Sequence, residues 1–339
     1  MKHIILTSML DGELADRWNA FALAAPFASH YVTPKYFTDP YIRGSRFAVL
    51  AENDNREVAA VLTGVVDDER VISGMFSRPQ MVFGRGVDRS RAVAALVNGV
   101  NEIDSAADLV EIYSWEPMPQ FADHSMQMRP SNETTSVVMI DLADGADAIF
   151  AKFSPTRRNE IRKAVKQGLV EVKELETDQE LAELYQIHCD WNERKGHSPD
   201  SFEQMKTAVS QTENRRVFVA KASGKVIAGS FYRFCPNGVV EYAANFSMPE
   251  HQKLRPNDLI GWDAIKWACD GGFSHFSMGG SHLFLRRFGG EVMQTYRYRR
   301  DRSLFKMHDL RENAREVGAQ AYRRLPENVR NGIRNILAR

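Results

Sequence analysis

"RVFVAKASGKVIAGSFYRFCPNGVVEYAANF", residues 216–246, is three runs of β-branched and aromatic residues separated by two polar turns. Such a pattern reads as a three-strand meander. The stretch "RFAVLAENDNREVAAVLTGVVDDERVISGMF", residues 46–76, reads the same way. Phe246 lies 170 positions after Phe76, and Val226 lies 168 after Val58. The segments downstream of the two meanders also match. "VDRSRAVAALVNGVNEI" (87–103) and "PNDLIGWDAIKWACDGG" (256–272) have helical period, and each precedes a short strand, "ADLVEIYSW" (107–115) and "FSHFSMG" (273–279). Strand, strand, strand, helix, strand therefore occurs twice at offsets of about 166–170 residues, which points to an internal duplication.

The 339 residues are enough for two domains, and 43% apolar content supplies their cores. Lys plus Arg and Asp plus Glu number 44 each, so the molecule as a whole has no field to steer a polyanion. The charge is uneven, however. Residues 286–339 hold 14 basic and 6 acidic side chains, net +8, against −8 for the rest. Three scattered cysteines, Cys189, Cys235 and Cys269, share no metal-ligand spacing and read as reduced. No metal is expected. The first residues lack signal-peptide character, and no run approaches the ~20 apolar residues of a spanning helix. The expected location is cytoplasmic.

"SPTRRNEIRKAVKQG" (154–168) concentrates five cations. Ser154 suits an N-cap and Pro155 the first helical position. Ile161, Ala164, Val165 and Gly168 fall on one face, which should pack. Arg158, Arg162 and Lys166 line its edge. Arginines in a first turn oppose the helix dipole, so an anionic ligand would explain them as well as a solvated face does.

"RRNEIRKAVKQG", with "SRPQ" (77–80), "YSW" (113–115) and "LRPNDLIGWDAIKWACDGGFSHFSMGG" (254–280), resembles FemAB-like proteins, the tandem-GNAT group that includes peptidoglycan bridge-forming aminoacyltransferases and envelope- or exopolysaccharide-associated N-acyltransferases. The resemblance implies an α/β (α+β) fold of two GNAT-like modules with mixed sheets. The expected division is a first module over 1–145, a connecting basic helix over 146–168, a second, reactive module over 169–300 and a helical tail over 301–339. It also implies an acyltransferase without a tightly bound cofactor, using acyl-CoA or aminoacyl-tRNA as co-substrate. Its partner would be a small-molecule or lipid-linked amino-sugar or peptide precursor, and a tRNA where the donor is aminoacyl-tRNA. Arg158 and Arg162 become phosphate-contact candidates.

An ordinary acetyl-CoA enzyme holds the pyrophosphate on a Gly-rich loop before the central helix. Here that loop, "FSMPEHQKLRPNDL" (246–259), has no glycine, which leaves Lys253, Arg255 and the cap residue Asn257 as anion contacts. Strict alternation along "VVEYAANF" puts Glu241, Ala243 and Asn245 on one face and Tyr242, Ala244 and Phe246 on the other. Glu241 is then a candidate base, and Tyr242 a candidate donor to the tetrahedral oxygen. In "SMGGSHLFLRRFGG" (277–290), Gly279 and Gly280 permit close backbone approach, and His282 is a second candidate base. Relatives commonly carry Phe-Lys-x-x-Phe/Trp-Gly here, the Lys placed at the oxyanion, and an acid before the Gly pair. This chain has Leu285 at the Lys position and Ser277-Met278 before the glycines. Arg286 or Arg287 could be the substitute cation if the helix is rotated or shifted, since neighbouring residues point about 100° apart. A catalytically inactive GNAT-like binder of an anionic ligand in polysaccharide assembly is the competing reading. In the first module, Gly84-Arg85-Gly86 with Arg78, Arg89 and Arg91 offers another anion site. The tail places Leu304, Leu310, Val317, Tyr322, Leu325, Val329, Ile333 and Leu337 at helical spacing among arginines. It is expected to pack on the body or to lie on an anionic leaflet at the inner membrane face.

Overall fold

The computed structural model describes residues 1–9, 12–129, 135–325 and 329. Both meanders form as the alternation requires. In the first half, β1 (Lys2–Leu6), β2 (Ser45–Glu52), β3 (Val58–Asp67) and β4 (Arg70–Ser73) pair antiparallel in sequence order. A short β5 (Met81–Phe83) adds to β3. Helix α2 (Arg89–Ile103) then leads to β6 (Leu109–Ser114), parallel to β4. The N-cap of α2 is Asp88, whose carboxylate accepts from Arg91 N. In the second half, β10 (Arg215–Ala222), β11 (Lys225–Phe234) and β12 (Val239–Ser247) are followed by α7 (Pro256–Asp270) and β13 (His275–Ser277), which runs parallel to β12.

Each sheet is apolar on both faces and covered on both. The first buries Phe47, Val49 and Leu62 under α2, and Leu50 and Val61 under α1 (Glu13–Ala24). The second buries Val240, Ile260 and Phe276 on the side of α7, α3 (Gly145–Lys152) and α4 (Pro155–Gln167). On its other side Leu184, Val219 and Phe231 pack with α5 (Asp178–Lys195) and α6 (Phe202–Ser210).

The module limits expected from the sequence do not match the sheets. Strand β8 (Ser136–Asp141), from the end of the first half, pairs with β13 of the second sheet, where β14 (Glu291–Gln294) joins it after the one-turn α8 (Leu283–Arg286). Strand β15 (Tyr296–Asp301), from the end of the second half, pairs with β6 of the first sheet and carries β7 (Gln127–Arg129). The halves thus exchange strands reciprocally. The sheet orders are β1-β2-β3-β4-β6-β15-β7 and β14-β8-β13-β12-β11-β10-β9, the latter ending on β9 (Glu171–Glu174).

The tail forms α9 (Met307–Arg324), and among the described residues ion pairs tie it to the body. Its Asp309 and Glu312 pair with Arg129, Arg297 and Arg299 of the first sheet, while Leu304, Phe305, Leu310 and Val317 are exposed. Ile333 and Leu337 lie outside the described residues. Among the described residues, no helix is long and apolar enough to cross a membrane.

Candidate active site

Strands β12 and β13 pair only at Val239–His275, Val240–Phe276 and Glu241–Ser277, after which β12 continues with β11 as its neighbour. The two chains splay there. Gly279 sits at the divergence with φ 71°, and a Cβ on it would lie 2.5 Å from the Tyr242 carbonyl oxygen. Only glycine allows this approach without displacing β12.

A β-bulge at the same level changes which side chains face which way. Phe231 pairs with Ala244, but Tyr232 pairs with Tyr242, so Ala243 is the extra residue. Simple alternation therefore fails. Glu241 shares the α5–α6 face with Ala244 and Phe246, whereas Tyr242 and Asn245 face α7. There Tyr242 packs against the core beside Tyr232, and Asn245 bonds Ser230 and Asn257.

On the α5–α6 side, the turn-rich segment 29–43 of the first half closes over the second sheet. Glu241 is buried between two guanidiniums, Arg78 at 2.5 Å and Arg233 at 2.9 Å. Asp39, also buried, accepts from His30 at 2.8 Å, pairs with Arg215 at 2.7 Å and lies 3.8 Å from Arg233. Burial alone would raise both carboxyl pKa values. For Glu241 the charges of Arg233 and Arg78 outweigh it, and for Asp39 the His30 bond and Arg215 do, so both are held below the usual carboxylate range. Burial lowers the pKa of His30 despite its bond to Asp39, which keeps the imidazole neutral near pH 7. Arg233 lies over the Tyr31 ring at 4.9 Å and Arg215 over Tyr41 at 5.8 Å.

These groups back a hollow of about 500 Å³ walled by Tyr31, Tyr36, Tyr41, Phe231 and Phe246. A second hollow, of about 670 Å³, is bounded by Phe76, Ser77, Gly279, Gly280, His282 and Arg286. Met75 and Arg78 line both. They belong to a tight turn of the first half that is pinned across the splay. Ser77 Oγ donates to the Gly279 carbonyl at 2.8 Å, Thr295 donates to the Phe76 carbonyl at 2.7 Å, and Arg78 reaches the Ala243 carbonyl at 3.5 Å. Two adjoining hollows at a strand splay, meeting at one arginine, suit a reaction between two ligands.

Residues 151–300 match the acetyltransferase (GNAT) domain family. The whole chain has the fold of FemX, at TM-score 0.66 and 14% identity over 88% of this chain and 97% of that one. It is also similar to a tandem GNAT protein from the clavulanic acid biosynthesis pathway, at TM-score 0.52 and 12% identity over 89% and 99%. Residues 151–300 thus hold a GNAT acyltransferase domain, in a chain with the fold of FemX. L-PGS from Bacillus licheniformis matches its fold at TM-score 0.57 and 13% identity, over 89% of this chain and 96% of that one. No curated protein matches its sequence.

The acyltransferase places the sequence-derived candidates unevenly. Gly279, Gly280, His282 and Arg286 line the second hollow. Partial desolvation lowers the pKa of His282, and Arg286 Nε donates to the Ser281 carbonyl at 2.5 Å. Leu285 points instead into the core. Glu241 is not an open-cleft base: its proton affinity is depressed, and both neighbouring guanidiniums occupy it. Tyr242 faces away from it, and burial raises its pKa. Arg158 donates to the Ala151 and Phe153 carbonyls, closing the end of α3, and Arg162 lies over Phe150 at 5.5 Å. Neither lines either hollow. Val165, expected to pack, is exposed.

The N-terminus of α7 is occupied by the acyltransferase's own side chains. Asp258 in its first turn is buried against Arg157, Arg255 pairs with Glu160 at 2.5 Å, and Asn257 donates to Ser247 at 3.2 Å. Lys253 is exposed in the preceding turn. The first module's helix is similarly self-capped by Asp88, and its Arg89 and Arg91 pair with Glu116 and Asp54.

Sequence reasoning missed Arg157, which is 1% exposed with its guanidinium between the Phe284 and Phe288 rings at 4.3 and 4.2 Å. Helical arithmetic carries the signal, because Arg157 lies four residues before Ile161 and seven before Ala164, on the buried face. It also missed Asp39, His30, Arg215 and Arg233. They sit in turns and on strands whose faces the local pattern does not assign. Among the described residues no group of three His, Cys, Asp or Glu side chains is placed to hold a metal ion.

Proposed function

We propose that this acyltransferase forms an amide by transferring an acyl or aminoacyl group to an amino group of a cell-envelope or polysaccharide precursor. The reaction takes place where the two hollows meet. The observation that carries the reading is the shared lining: Arg78 and Met75 border both hollows, so ligands filling them abut at the splay. The donor is an activated ester, either the thioester of an acyl-CoA or the ester of an aminoacyl-tRNA. Its carrier lies along the outer hollow, where Arg286 supplies positive charge and His282 a hydrogen bond. Arg78 is the cation nearest both ligands and takes the electrostatic role at the developing oxyanion that relatives give to a lysine. Removing one such donor elsewhere costs ~2.7–4 kcal/mol of barrier. Glu241 acts through Arg78 and Arg233, fixing their orientation.

Exposed Leu304, Phe305, Leu310 and Val317 beside Arg302, Lys306, Arg311 and Arg315 support peripheral contact of the tail with an anionic leaflet. Such contact would bring the site to lipid-linked acceptors.

The test is a matrix of acyl-CoAs and charged tRNAs against amine acceptors, read by product mass. Turnover that falls at least a hundredfold in Arg78→Met, with folding retained, supports the reading. Turnover unchanged in Arg78→Met, or no acyl transfer from either donor class, refutes it.

A further inference from the structure

The enclosed hollow has a charge imbalance that the protein leaves unsatisfied. Three guanidiniums, buried Arg215 and Arg233 and half-buried Arg78, face two buried carboxylates, Asp39 and Glu241. His30 is neutral, and at the mouth exposed Arg43 balances half-buried Asp200. The His188 imidazole in the wall accepts from Asp200 N at 3.0 Å, and burial lowers its pKa, so it adds no charge. One positive charge remains. A buried charge without a counterion costs several kcal/mol, which a resident anion would remove. A second observation is independent of that count. The Tyr36 hydroxyl, on a fully buried residue lining the hollow, has no hydrogen-bond partner among the described residues. The remaining wall is mostly aromatic and aliphatic, with Phe231, Phe246, Ile72 and Met205, and carries one amide, Gln80.

An excess of one charge calls for a monoanion, and the apolar wall calls for an apolar body. A nucleotide diphosphate offers neither. The anionic group must lie close to the junction with the outer hollow, because Arg78 sits at that junction.

We infer that the enclosed hollow binds a free α-amino acid with an apolar side chain as the acyl acceptor, its carboxylate held by the arginine cluster and Tyr36 and its amine turned to the junction at Arg78. This rests on the acyl-transfer reading above and puts a free amino acid in place of its envelope or polysaccharide acceptor. The charge count also accounts for the missing base. A free amino acid is a zwitterion in water, and its amine form is a monoanion. A cavity of net charge +1 stabilises the monoanion over the zwitterion, so binding expels the ammonium proton to solvent and leaves a nucleophilic lone pair. That lone pair attacks the acyl carbon of the donor ester or thioester. The C–N bond forms as the carbon–oxygen or carbon–sulfur bond breaks; one of the two amine protons leaves with the carrier as its hydroxyl or thiol, and the other stays as the amide N–H. The products are an N-acylamino acid and the free carrier.

Isothermal titration of the wild-type protein with phenylalanine, leucine, phenylalaninamide and 3-phenylpropionate, in buffers of different ionisation enthalpy, tests this directly. Phenylalanine and leucine should bind with release of close to one proton. 3-Phenylpropionate, which has no amine, should bind with release of none. Phenylalaninamide, which has no carboxylate, should bind at least tenfold more weakly. Tyr36→Phe removes a hydroxyl that the fold does not use, so it should keep the wild-type melting temperature while weakening phenylalanine binding by about tenfold. Equal affinity for phenylalanine and its amide, or binding without proton release, overturns the inference. Acyl transfer to an amino sugar with no binding of any amino acid also overturns it, and leaves the general acyltransferase reading standing. Carboxylate-dependent binding of phenylalanine without transfer from any donor overturns both the acceptor role and the reading beneath it.

Discussion

Glu241→Gln separates a clamp from a base. The substitution keeps the shape and removes the charge. Arg78 then keeps the Ala243 carbonyl at 3.5 Å, and Arg233 keeps Asp39 at 3.8 Å and the Tyr31 ring at 4.9 Å, but neither keeps a carboxylate within 3 Å. Two guanidiniums buried together lose the anion they share, and breaking a buried pair costs about 3–5 kcal/mol. At about 2–4 °C per kcal/mol for a protein of this size, the melting temperature should fall by about 6–20 °C. Urea unfolding followed by circular dichroism measures the loss as a lower midpoint at unchanged slope. The double substitution Arg78→Met/Glu241→Leu replaces the pair with apolar groups and should recover at least half of that loss, while activity stays absent. If Glu241→Gln unfolds within about 1 kcal/mol of wild type yet abolishes turnover, Glu241 is a proton acceptor and the clamp argument is wrong.

Arg157→Ala should cost about 3–5 kcal/mol by stranding Asp258 and emptying the space between Phe284 and Phe288, whereas Arg158→Ala and Arg162→Ala should each cost about 1 kcal/mol or less and leave KM for the donor within twofold. Chemical denaturation and steady-state kinetics on the three variants check this. Gly279→Ala forces a left-handed backbone and a Cβ onto the Tyr242 carbonyl, so it should abolish transfer at a measurable loss of stability. Stability should be full above the ordinary histidine pKa of ~6.5 and fall as pH drops, first because unfolded His30 gains a proton that the folded state refuses. It should fall again through the ordinary carboxylate range near ~4, where unfolded Asp39 and Glu241 protonate before their folded forms do. Denaturation midpoints between pH 8 and 3 track both phases, and Glu241→Gln should flatten the second. Vesicles rich in phosphatidylglycerol should sediment the protein in a salt-sensitive way. Phe305→Ser/Leu310→Ser should weaken that binding about tenfold, and equal binding to neutral vesicles would contradict the role of the tail.

The duplicated core was legible because meander, helix and return strand are local patterns with their own periods. Predicted 87–103 and 256–272 became α2 and α7 within two residues at each end. What failed was whatever depends on pairing across long distances or on a break in period. The bulge at Ala243 reverses one face of β12, and alternation counted from sequence cannot register an inserted residue. The basic helix misled through its most visible arginines, since exposure is what makes Arg158 and Arg162 form a stripe. Arg157, on the apolar face, is the one the fold encloses. The enclosed hollow was out of reach because Tyr31, Tyr36, Tyr41, Ile42 and Arg43 of its lining come from segment 29–43, a run of tight turns without period, brought to the second sheet by tertiary contact.

The strand exchange has a consequence for synthesis. Until the ribosome has delivered Tyr296–Asp301, the nascent chain holds β6 with an open edge, and the early strand Ser136–Asp141 waits for a partner, His275–Ser277, made more than a hundred residues later. Neither half can close by itself during translation. An unpaired edge of this kind invites the wrong partner, so emerging chains should depend on chaperone shielding more than two independent domains of equal length would.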